Sequence, residues 1–124
     1  MRNKYIPEYN DIAWIDFEPI RGKEIGKYRP ALILTPKKYN QQTKQIICCP
    51  ITTSLRGQAM EVPILNLEKP SAVVCNILRT LDWGTREIQF IAYAEHGVMT
   101  AVLQRIIPLI GADKILLESV GLSR

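Results

Sequence analysis

Histidine is almost missing from this chain of 124 residues; His96 is the only one. A two-histidine acid–base mechanism is excluded by count, and a histidine-rich metal cluster with it. Cysteine is scarce too. Cys48 and Cys49 are adjacent and Cys75 stands alone, so the three cannot all pair in one chain and no CxxC zinc spacing exists. Reduced, buried thiols that pack as small apolar groups are the expected state. Long hydrophobic runs are absent. Nothing approaches the roughly 20 apolar residues that span a bilayer, and Met1-Arg2-Asn3-Lys4 leads into no signal-like segment. The expected address is the cytoplasm, with no membrane contact.

What is present suits a folded domain. A hydrophobic share of 47% with a mean hydropathy of −0.02 excludes a disordered chain, and the length suits one domain over residues 1–124. Sixteen Lys/Arg against twelve Asp/Glu give a net charge of +4 and a pI near 9.1. Such a balance attracts phosphate polymers, and equally serves as ordinary solubility surface.

Short apolar stretches with proline and glycine punctuation predict strands at 12–17, 31–35, 45–51, 60–65, 71–76 and 87–93. Pro19 to Pro30, with Gly22 and Gly26, reads as a long loop, and residues 39–42 as polar turn material. Pro50 suggests an edge or a bulge at the end of the third strand. Trp83-Gly84 falls in a turn region. Val98, Val102, Ile106 and Leu109/Ile110 recur at helical spacing, with Pro108 set to end or kink that helix near Ile107. Gly111 is a plausible stop, and Asp113 a plausible cap for a short second helix carrying Ile115, Leu116, Leu117 and Val120. The fold expected is mostly β with a C-terminal α-helix, a small antiparallel barrel capped by helix.

The most informative residues are Asp11-Ile12-x-Trp14-Ile15-Asp16-Phe17-Glu18-Pro19, then Gly22-x-Glu24, then Arg29-Pro30-Ala31-Leu32-Ile33-Leu34. Pro50-Ile51-Thr52-Thr53-Ser54 and Leu78-Arg79-Thr80-Leu81-Asp82-Trp83 follow. In this order and spacing they resemble the MazF/PemK family of toxin endoribonucleases from type II toxin–antitoxin pairs. The resemblance runs from Tyr5 to about Gly111; residues 112–124 are an extension beyond it. It implies an SH3-like barrel of the CcdB/MazF/PemK type, assembled as a homodimer. It also implies an mRNA interferase needing neither metal nor cofactor, which cleaves single-stranded RNA by 2′-OH attack and leaves 2′,3′-cyclic phosphate and 5′-OH ends. The partners implied are RNA and an antitoxin with an acidic, disordered C-terminal segment, with operator DNA reached only through the antitoxin complex.

Carried over residue by residue, Glu24 is the candidate base, Arg29 stabilises the phosphorane, and Thr52 donates its hydroxyl to a phosphate oxygen. An unperturbed Glu pKa is about 4.3, so the base role requires partial burial. Guanidinium is always charged, which suits Arg29 to charge stabilisation rather than proton transfer. Lys23, Lys27, Tyr28, Asn40, Arg56 and Gln58 are candidates for lining an RNA groove, since basic groups hold phosphates while Tyr, Asn and Gln stack on or pair with bases. Trp14, Arg29 and Arg56 are candidates for the antitoxin contact. Ordinary alternatives stand beside each role: Glu24 as a solvated loop charge, Arg29 paired with Asp16, Thr52 as turn material, and Trp14 and Trp83 as core or interface aromatics. Two departures from the family bear on substrate choice: Lys23 stands where one branch has His, and Asn76-Ile77 where many members have Asp-Gln. Two other classes stay open: a same-fold toxin that binds DNA gyrase, and a catalytically silent RNA-binding barrel.

Overall fold

The computed structural model describes residues 5–17 and 28–121. Seven strands form one sheet: β1 (Asp11–Asp16), β2 (Tyr28–Ile33), β3 (Gln45–Thr52), β4 (Glu61–Ile64), β5 (Ser71–Val74), β6 (Arg79–Asp82) and β7 (Ile88–Tyr93). Their order is β4-β5-β3-β2-β1-β7, with β6 also paired to β3. All the pairings are antiparallel. Three α-helices, α1 (Lys37–Thr43), α2 (Val98–Leu109) and α3 (Ala112–Ser119), and one 3-10 turn at Trp83–Thr85 complete the described residues. The result is a curled half-barrel with C-terminal helices, as expected. Among the described residues no helix is long and apolar enough to cross a membrane.

β1 and β2 read as nearly continuous apolar runs because both of their faces are covered. Ile12 and Leu32 point into a core shared with Val98, Met99, Val102 and Ile106 of α2. Ala13, Ile15, Ala31 and Ile33 point the other way, onto Phe17, Ile46, Cys48 and Leu81. Strand alternation sends the adjacent cysteines apart: Cys48 enters this second core, and Cys49 the first, beside Cys75. All three are free and buried. Burial pushes the Cys48 and Cys49 thiols up to about 12.

Several local expectations are corrected. The polar stretch around 39–42 is a helix, not a turn, because Asn40 is a buried hub: its amide nitrogen donates to the carbonyls of Pro7 (2.8 Å) and Thr35 (2.9 Å), and its oxygen accepts from Thr35 Oγ1 (2.6 Å). β6 lies where no strand was expected; of its four residues only Leu81 is buried, too little for a pattern. β2 starts at Tyr28 rather than Ala31, so Tyr28, Arg29 and Pro30 belong to the sheet. Pro50 is neither at an edge nor at a strand end. It pairs with Ala31, while on the other flank of β3 the β6 pairing ends at Cys48 and the β5 pairing begins at Ile51. That gap accommodates a residue without an N–H.

Pro108 does not stop α2, which runs on to Leu109, since a proline this close to the C-terminus removes only one helical bond. Gly111, at φ +78°, starts α3; Asp113 sits inside its first turn and makes no side-chain cap. α3 buries none of its residues.

Candidate nucleic-acid cleft

The strands β1, β2 and β3 bring two of the three candidate catalytic residues together. Ala31 pairs with Pro50, and continuing that antiparallel register by two residues sets Arg29 of β2 opposite Thr52 of β3. Both line a groove of about 660 Å³ whose walls also include Trp14, Tyr28, Pro30, Leu67, Glu68 and Lys69. Arg29 is held from below by an aromatic ring: its guanidinium carbon lies 6.0 Å from the Phe17 ring centre. Thr52 Oγ1 accepts the Ser54 N–H at 3.0 Å, a local bond that fixes the hydroxyl while its proton stays available to an acceptor. A cation and a hydroxyl donor on one wall suit a tetrahedral or pentacoordinate oxyanion.

More positive charge gathers at the end of β1. Arg79 also approaches the Phe17 ring, its guanidinium carbon 5.7 Å from the ring centre, and donates Nη2 to the Phe17 carbonyl at 3.3 Å. Arg86 donates Nη1 to the Asp16 carbonyl at 2.7 Å. Three arginines from β2, β6 and the turn before β7 therefore pin the point where the chain leaves β1 toward residues 18–27. Lys23, Glu24 and Lys27 fall in that segment, outside the described residues. Sequence reasoning passed over Arg86 and the 67–69 wall. A basic residue close to Trp83 was the available hint for Arg86; nothing local marks Leu67, Glu68 or Lys69, which arrive through the β4–β5 pairing.

The remaining candidates are scattered. Tyr28 is exposed and stacks on Trp14, ring centres 6.2 Å apart and 12° from parallel. These two are diagonal neighbours on one face, since Trp14 pairs with Pro30. Asn40 is corrected: it is fully buried and its amide is spent on the Pro7–Thr35 network, so it offers nothing to a base. Arg56 and Gln58 are exposed on the β3–β4 loop, whose Arg56 and Gly57 N–H groups donate to Glu61 Oε1. Neither lines the Arg29 groove, so of the antitoxin candidates only Trp14 and Arg29 share a surface there. Trp83 is half-buried, its Nε1 donating to the Asn40 carbonyl at 3.0 Å, with Lys44 over its ring.

Comparison with known proteins agrees with this architecture. Residues 8–110 match the family model described as the PemK-like, MazF-like toxin of type II toxin–antitoxin systems. The endoribonuclease toxin MazF of Escherichia coli K12 is 33% identical over 86 residues, covering 69% of this chain and 78% of that protein. The crystal structure of MazF from Deinococcus radiodurans superposes with a TM-score of 0.78 at 33% identity, covering 87% of this chain and 99% of that one. A MazE–MazF structure from the same organism gives 0.80 at 33% identity, covering 87% and 98%. With the sheet order, Arg29 and Thr52 on one groove and a match spanning most of the chain, this protein belongs to the PemK-like, MazF-like toxin family of type II toxin–antitoxin systems.

Proposed function

We propose that the protein is a toxin endoribonuclease that cuts single-stranded RNA, stops translation and is silenced by a co-produced antitoxin. The observation that carries this reading is the placement of Arg29 and Thr52 on one groove wall in a chain of this toxin family. The 2′-OH neighbouring the scissile phosphate attacks phosphorus, and Glu24 takes its proton. The charge that builds on the non-bridging oxygens is met by the Arg29 guanidinium and the Thr52 hydroxyl. The P–O5′ bond breaks and the departing O5′ takes a proton from solvent water, leaving a 2′,3′-cyclic phosphate and a 5′-OH. This scheme requires no metal, and it leaves Lys23 and Lys27 to hold the backbone.

The names of the relatives, endoribonucleases MazF and PemK, favour this reading over a gyrase poison or a silent RNA-binding barrel. The solved MazE–MazF pairs support an antitoxin partner. Homodimerisation is supported by apolar side chains left in water on the C-terminal helices, Ile110, Ile115, Leu116 and Val120 among them.

Purified protein incubated with mixed-sequence RNA in EDTA, with the new ends mapped, tests the chemistry. Cleavage that leaves 5′-OH ends at a preferred sequence is expected. Intact RNA, or cutting that requires magnesium, rejects the proposal, and a gyrase supercoiling assay then tests the competing class. Light scattering at micromolar concentration reads the dimer.

A further inference from the structure

Trp14 and Tyr28 form a ridge with a groove on each side. On one side lies the Arg29–Thr52 groove; on the other lies a second, also about 660 Å³, lined by Tyr5, Trp83, Arg86, Glu87, Ile88 and Gln89. The second groove holds no candidate catalytic group. It does hold both tryptophans of the chain, two tyrosines of the five, a carboxylate and an amide. Its position follows from the sheet: Gln89 pairs with Trp14 across β1 and β7, and Trp14 with Pro30 across β1 and β2, so one row of side chains runs from this groove to the Arg29 groove.

We propose that this aromatic groove is a nucleobase subsite for an unpaired nucleotide next to the cleaved one, and that Glu87 sets its base preference. The inference rests on the RNA-cleaving reading above. A strand whose phosphate sits at Arg29 crosses the Trp14–Tyr28 ridge with its neighbouring nucleotide, and aromatic rings hold single-stranded bases by stacking. Glu87 and Asp16 stand near the Tyr28 hydroxyl, where desolvation and then these two carboxylates raise the pKa of that phenol. The arginine of this groove, Arg86, donates to the Asp16 carbonyl, so the Glu87 end favours a base over backbone phosphate. A carboxylate only accepts hydrogen bonds, so it selects a base edge made of donors. Guanine offers N1–H and N2–H2 side by side. Adenine and cytosine offer one amino group, and uracil sets two carbonyl oxygens around a single N–H. The expected order is guanine first and uracil or thymine last, with Gln89 an adaptable second contact.

Both tryptophans line the groove, so their fluorescence reports occupancy without any cleavage. Short 2′-deoxy oligonucleotides lack the nucleophile and serve as the probe. Guanine-containing oligomers should quench at roughly tenfold lower concentration than all-thymine ones of the same length, and Glu87→Gln should close most of that gap. Mapped cleavage of mixed RNA should then show Glu87→Gln losing preference at one position beside the cut, with Gln89→Ala weakening it less. An equal response to guanine and thymine in the parent protein, or a preference that survives Glu87→Gln, overturns the subsite. An unchanged cleavage map with a shifted monomer–dimer equilibrium assigns the groove to a subunit contact instead, which also overturns it. If the parent cuts no RNA yet shows the Glu87-dependent quenching, the nuclease reading fails and the subsite stands.

Discussion

Arg29 has the Phe17 ring beside its guanidinium, and it lines the same groove as Thr52. In the proposed reaction its forked set of donors has no replacement there, because Lys69 of the same groove is a single ammonium and Arg79 and Arg86 are engaged with the carbonyls of Phe17 and Asp16. Arg29→Ala should therefore lower single-turnover cleavage about 10²–10³-fold, the loss typical of an oxyanion donor. Thr52→Val, which removes one neutral hydroxyl, should cost about tenfold. Unchanged thermal midpoints in both variants separate chemistry from folding, and parent-like rates would refute the two assignments. The cysteines make a different expectation at this scale. Cys48 and Cys49 ionise near 9 in the unfolded chain and near 12 when folded, so burial disfavours the thiolate. That relation means the stability the neutral thiols provide is complete below about pH 9 and is lost as pH climbs toward 12. At pH 8 a thiol reagent should label the native protein far more slowly than the urea-unfolded chain. Equal rates would show that the thiols are accessible.

The elements differ in how much of themselves the sequence displays. β1, β2 and α2 are legible because their burial is dense: two covered faces give unbroken apolar runs, and the core contacts Val98, Val102 and Ile106 recur every four residues. α1 and β6 are not, because the groups that define them act at a distance. Asn40 is a core residue through hydrogen bonds to Thr35 and to Pro7, the latter thirty-three positions away, and local polarity pointed to a surface base contact instead. Arg29 and Thr52, which the fold brings to one groove, were singled out as candidates by motif order. Glu87, Gln89 and Lys69 were not, since only the pairings of β7 with β1 and of β5 with β4 carry them to the grooves. Asn40→Ala leaves Thr35 and two carbonyls short of partners and should destabilise by about 3 kcal/mol in urea titration. Below its melting range the variant should keep the parent KM for RNA; a raised KM with parent stability would restore Asn40 to the binding surface. α3 behaves oppositely. It buries no residue within its own protomer and leaves Ile115 and Leu116 in water as apolar surface for a second copy. Ending the chain after Gly111 should therefore change the unfolding free energy of the dilute monomer by under about 1 kcal/mol and weaken the dimer at micromolar concentration. An unchanged dimer in light scattering would remove α3 from the subunit contact.

Charge organises the whole molecule around the end of β1, where Arg29, Arg79 and Arg86 converge from three separate stretches of a chain carrying a net +4. A phosphate polymer and an acidic peptide present similar charge to such a cluster, so under the proposed function one surface would serve both substrate and inhibitor. The Trp14–Tyr28 ridge beside it adds an apolar anchor that either ligand can use. A disordered acidic segment gives up ordering entropy on docking, yet it can wrap a long surface, and in this proposal it would cover both grooves at once. The antitoxin's C-terminal segment and RNA should therefore exclude each other. In a titration of the toxin–antitoxin segment complex with non-cleavable 2′-deoxy oligonucleotide, labelled peptide should leave in proportion to the nucleotide bound. Peptide affinity should fall as salt rises from about 0.05 to 0.5 M, where the screening length drops below the spacing of the charges. Arg29→Ala should weaken both ligands, whereas Arg56→Ala, away from the groove walls, should weaken neither by more than about twofold. A ternary complex in which peptide and oligonucleotide sit together at full occupancy would place inhibition on another face of the barrel.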